Sequence, residues 1–119
     1  MAVGLLMAAL LAVPAAVAQQ AFFAAVSDLP LMPGLAEAAD AALVFDNPAG
    51  RIVELAATGT VVAAAVRSFY AETLPQLGWE PVGDDRYVRE GELLTLMVEA
   101  ASGGLIVRFS IAPRVAPAP

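Results

Sequence analysis

The chain has 119 residues and a formal charge of −6, with no histidine, cysteine or lysine. That length suits one small domain. The acidity argues against nucleic acid and anionic lipid as partners, and the missing residue types leave a serine no customary activating base and a zinc, copper or haem centre no imidazole or thiolate.

All charged residues lie from Asp28 onward. "MAVGLLMAALLAVPAAVAQQ" has an apolar stretch from Val3 to Val13, a break at Pro14 and a small-x-small site at Ala16-Val17-Ala18. The pattern predicts a signal peptide over 1–18, cut to leave Gln19 first, although its start lacks a basic residue. The alternative is an uncleaved anchor helix over Val3–Val26, with Gln19 and Gln20 as polar interruptions. The chain would touch a membrane only in that second case. The expected location is exported, either periplasmic or anchored in the inner membrane and facing the periplasm.

Residues 19–40 read as a leader, broken by Pro30, Pro33 and Gly34. Phe22 and Phe23 are unusual in a free tail, so packing is expected there. Leu35–Asp40 could form a helical turn or a loop. The domain is expected over 41–112. Its first hairpin joins Ala42–Phe45 to Arg51–Ala57 through Asp46, Asn47, Pro48 and Gly50, residues common in turns. Asp-Asn-Pro-x-Gly could also serve as a binding loop, but turn formation explains it without a ligand.

One helix is expected next, capped by Thr60. Val62, Val66, Phe69, Tyr70, Leu74 and Leu77 recur at helical spacing. Pro75 removes an N–H from the last turn, and Gly78 suits the left-handed residue that ends it. Trp79, the only tryptophan, then begins a meander. Strands are expected over Trp79–Val82, Arg86–Arg89, Glu92–Ala100 and Leu105–Ile111. Pro81 marks the first as an edge or irregular strand. Leu94, Leu96, Val98 and Ala100 should face inward with Leu105, Val107, Phe109 and Ile111. Residues 113–119 read as a proline-rich disordered tail.

The expected fold is therefore α+β: a two-layer arrangement in which an antiparallel β-β-α-β-β-β-β sheet packs on one amphipathic helix, preceded by a signal or anchor helix. Phe69, Tyr70, Leu74, Pro75, Gly78 and Trp79 form its structural joint. The opposite sheet face mixes Leu93, Thr95, Met97, Ile106 and Arg108, which makes it the candidate interaction face for an envelope protein or a second copy of the chain. The sequence points to no cofactor, catalytic residue or metal ligand. Asp84 and Asp85 are the exception to weigh, because adjacent carboxylates could serve a small hydrolase or hold calcium. A solvated turn accounts for them more simply.

The pattern Phe-Tyr-x-x-x-Leu-Pro-x-x-Gly-Trp, followed by a charged turn and a Tyr-x-Arg-x-Gly strand, resembles small exported or envelope-associated bacterial domains of unknown function. The resemblance spans Thr60–Ile111 and implies a helix feeding an antiparallel meander. It implies no active site. The expected role is a non-enzymatic accessory or binding domain of the bacterial envelope. The alternatives are a membrane-anchored small subunit of an envelope complex and a carboxylate-dependent small hydrolase.

Overall fold

Alternating apolar residues build two ten-residue strands that form the centre of the fold. In the computed structural model, which describes Gly4 and residues 20–114, these are β8 (Glu92–Ala101) and β9 (Gly104–Pro113), paired along their whole length. Apart from Gly4, the expected signal over 1–18 lies outside the described residues, as do residues 115–119 of the tail and most of the alternative anchor.

Three short strands precede the first hairpin: β1 (Ala21–Phe22), β2 (Pro30–Leu31) and β3 (Leu35–Glu37). The hairpin is β4 (Leu43–Asn47) with β5 (Gly50–Gly59), and the meander opens with β6 (Glu80–Gly83) and β7 (Arg86–Arg89). The main sheet is antiparallel with seven strands, ordered β3-β5-β9-β8-β7-β6, and β4 also pairs β5. Strand β9 takes one edge of β5 at Val53–Gly59, while β4 and β3 divide the other at Gly50–Glu54 and Ala57–Gly59. Strands β1 and β2 make a separate two-stranded ribbon.

The link from β5 to β6 must cross from one side of the sheet to the other. It does so through α1 (Ala63–Thr73) and a 3-10 turn, Leu74–Leu77. Val66, Tyr70 and Leu74 are fully buried against Val53, Leu55 and Ala57 of β5, Val107, Phe109 and Ile111 of β9, and Leu94 and Leu96 of β8. Among the described residues the architecture is thus α+β, one α-helix on an antiparallel sheet.

The helix begins later than expected. Strand β5 runs to Gly59, because Gly59 pairs with both Leu35 and Leu105. Thr60 consequently falls before the helix, Val62 is the N-cap without a side-chain cap bond, and Val62 is 67% exposed rather than part of the buried stripe. The end follows the expected chemistry. Pro75 has no N–H to continue an α-helix, so the last turn tightens to 3-10 geometry. Gly78 takes φ 91°, and the N–H of Trp79 reaches back to the carbonyl of Leu74 at 3.1 Å.

Residues 20–37 join the body of the protein. Phe23, Val26, Leu29 and Leu35 are buried in the common core, whereas Phe22 is 46% exposed. Leu35–Glu37 forms a strand and Ala39–Ala41 a 3-10 turn, in place of the helical turn or loop expected there. At the other terminus, Pro113 still pairs with Glu92, and the Arg114 N–H donates to the carbonyl of Gly91 at 2.7 Å. Ala100, expected to face inward, lies near the solvated hairpin end and is exposed.

Candidate interaction surface

The pleat sends successive side chains to opposite faces. Inward residues of β8 and β9 meet the helix, and the alternate set forms an outer face with no helix upon it among the described residues. There Met97 lies opposite Arg108, Thr95 opposite Ser110, Leu93 opposite Ala112, and Glu99 opposite Ile106. The candidate residues Leu93, Thr95, Met97, Ile106 and Arg108 therefore share one surface. Their polar neighbours satisfy one another: Arg108 Nε lies 3.4 Å from Glu99, and Ser110 Oγ donates to Glu54 at 3.1 Å. Apolar side chains are left between these pairs, with Met97 45% exposed.

The register enlarges this surface beyond the meander. Phe45 lies opposite Ile52, and Leu43 opposite Glu54, which itself opposes Ser110. Leu43 and Phe45 thus belong to the same face and are about half exposed. Sequence reasoning had the strand but not its face. The usable signal was the turn: a two-residue connection at Pro48-Ala49 fixes which side chains oppose which. Asn47 Oδ1 accepts from the Ala49 N–H at 2.9 Å, so the asparagine of the Asp-Asn-Pro-x-Gly segment spends its side-chain oxygen on its own turn.

The aromatic joint lies on the other side of the sheet. Tyr70 packs edge-on against Phe109, with centroids 5.0 Å apart, and Phe69 packs edge-on against Tyr70 at 4.9 Å. Trp79 is buried, and the Arg89 guanidinium sits 4.3 Å from its ring centroid. Arg89 also donates to the Leu77 carbonyl at 3.1 Å and pairs with Asp28 at 2.8 Å. Along the same end of the sheet, Arg51 grips Glu92 with two bonds of 2.7 and 2.9 Å. That hydrogen bonding, with the nearby negative charge, raises the Arg51 pKa. These contacts put Phe69, Tyr70, Trp79 and Arg89 on the helix side of the sheet, away from the candidate surface, with Leu74 buried beside them and Pro75 and Gly78 exposed at the helix end.

Asp84 and Asp85 form the two-residue turn between β6 and β7, as their sequence suggested. Asp85 pairs with Arg67 at 3.1 Å across a shallow open cleft of about 510 Å³, lined also by Ala71, Gly83, Asp84 and Tyr87. Desolvation, then the charge of Asp85, raises the Tyr87 pKa. Among the described residues, no three carboxylates gather into a possible metal-binding group.

The chain matches no known protein-family model, and neither the curated proteins nor the solved structures include a significant match to it.

Proposed function

We propose that the chain is an exported, non-enzymatic binding domain of the bacterial envelope that meets its partner through the outer face of its sheet. The observation that carries this reading is the contrast between the two faces. One buries Val53, Leu94, Val107, Phe109 and Ile111 completely; the other leaves Leu43, Phe45 and Met97 about half exposed around Leu93 and Ile106. Exposed apolar side chains that share one sheet face with polar residues between them suit an interaction surface. Export rests on the charge-free first twenty-seven residues and the small-x-small site before Gln19. The resemblance of the helix-to-strand motif to envelope-associated domains agrees with it.

The test joins location to surface. The mature chain is expected in the envelope fraction with Gln19 at its amino terminus. A partner should be recovered with it after mild crosslinking, and the double variant Leu93→Asp, Met97→Asp should lose that partner while remaining folded. A cytoplasmic chain retaining its first residues, or partner recovery indifferent to both substitutions, contradicts the reading.

A further inference from the structure

The sheet has two edges, and they are built differently. At one, β6 carries Pro81, which has no N–H to offer, a charged Glu80, and a register shift between Pro81 and Gly83. Proline, charge and irregularity are the devices that keep an edge from pairing with another strand. At the other, β3 closes part of β5, but among the described residues β4 pairs only with β5 and no strand lies on its far side. Strand β4 has no proline and no register shift. Leu43, Val44 and Phe45 are 52%, 50% and 47% exposed, with Leu43 and Phe45 on the outer face and Val44 on the inner. An additional strand there would find apolar side chains on both of its sides.

The charges indicate what such a strand carries. Asp40 and Asp46 bracket the apolar triplet and are exposed, and among the described residues neither forms an ion pair. Arg51, opposite Asp46 in register, gives its hydrogen bonds to Glu92 instead. A second copy would bring the same acids to the edge on a chain of charge −6. Like charges placed across neighbouring strands are unfavourable. We propose that the free edge of β4 accepts, by strand addition, an extended segment of another protein that has an apolar centre and arginine or lysine at its ends. This rests on the binding-domain reading but assigns a different place, the sheet edge rather than its outer face. Main-chain hydrogen bonds would supply affinity, and alternate side chains with the acidic flanks would supply selectivity.

The test titrates the chain, as recovered from cells, with the capped peptide Arg-Arg-Val-Leu-Val-Arg-Arg and with its glutamate-for-arginine counterpart, followed by amide NMR. The expected result is saturable shifts centred on Leu43–Asn47 with the basic peptide, and at least tenfold weaker binding of the acidic one. Val44→Pro should abolish binding and Glu72→Ala, on the exposed side of the helix, should leave it intact. Because Val44→Pro could unfold the hairpin, the pair Asp40→Asn, Asp46→Asn provides a second check and should weaken binding about tenfold. Equal binding of both peptides, no saturation, or shifts centred on Met97 and Leu93 overturns the edge proposal; the last outcome leaves the outer-face reading standing. A dimer in sedimentation that Phe45→Lys dissociates would give the edge to a second copy and overturn it as well.

Discussion

Tyr70 donates its hydroxyl to the carbonyl of Pro30 at 2.8 Å and accepts the N–H of Met32 at 3.2 Å. The helix thereby holds the segment that precedes the sheet, across about forty residues of sequence. Phe23 adds an edge-on contact with Phe109 at 5.1 Å, and Asp28 its ion pair to Arg89. Phenylalanine at position 70 would keep the ring packing but take this partner from the buried Pro30 carbonyl and the part-buried Met32 amide. Tyr70→Phe is expected to cost about 1–3 kcal/mol. Limited proteolysis should show faster cutting within residues 20–34, and an unchanged cleavage pattern would contradict this role.

The same burial makes the fold sensitive to alkali. Desolvation raises the Tyr70 pKa well above that of a free tyrosine, partly offset by the hydrogen bond from Met32. An unfolded tyrosine ionises near about pH 10. The stability linked to Tyr70 is therefore fully present below pH 10 and is lost as pH rises above it. Ultraviolet titration should show Tyr70 ionising only with unfolding, and Tyr70→Phe should flatten the alkaline fall in the unfolding midpoint.

Trp79 closes the helix-to-strand joint, with Arg89 over its ring. Removing a buried aromatic ring costs about 3–5 kcal/mol, so Trp79→Ala should fall in that range by denaturant unfolding. Arg89→Ala is expected to destabilise by a smaller amount. Its loss removes both the covering of Trp79 and the link to Asp28. A Trp79→Ala cost below about 1 kcal/mol would contradict a buried structural role.

The turn between β7 and β8 contains a correctable strain. Glu90 and Gly91 both have positive φ, 49° and 80°, as a type I′ hairpin turn requires. Asparagine tolerates that geometry better than glutamate does. Glu90→Asn is expected to stabilise the chain, measured as a rise in the denaturant midpoint.

Gly104 and Gly59 report a close approach of main chains. A Cβ on Gly104 would collide with the carbonyl of Gly59, and one on Gly59 with the carbonyl of Gly34. Backbone atoms cannot yield as a flexible side chain can. Gly104→Ala should cost about 1–3 kcal/mol or more in denaturant unfolding, while Gly83→Ala, with open space around it, should cost much less.

The central strands were legible because period-two alternation in Leu94–Val98 and Leu105–Ile111 is a local signal that burial then follows. The joint was legible for a similar reason: proline, glycine and tryptophan act within a few residues of themselves. What lay hidden was decided at a distance. Thr60 has good capping chemistry, but pairing of Gly59 with two strands extends β5 and postpones the helix. The partner of the Tyr70 hydroxyl lies about forty residues upstream, beyond any periodicity. Of the candidate surface, Leu93, Thr95, Met97, Ile106 and Arg108 could be grouped by alternation in one hairpin. Adding Leu43 and Phe45 required the register that joins β4 through β5 to β9.

The most direct test of the binding-domain account is photocrosslinking in cells from single positions. A photoreactive phenylalanine analogue at position 97, on the outer face, should give a discrete adduct in the envelope fraction. The same group at Ala64 or Glu72, on the exposed side of the helix, should give none. Equal crosslinking from all three positions, or no adduct from position 97, would contradict the claim that the sheet's outer face is where this protein meets its partner.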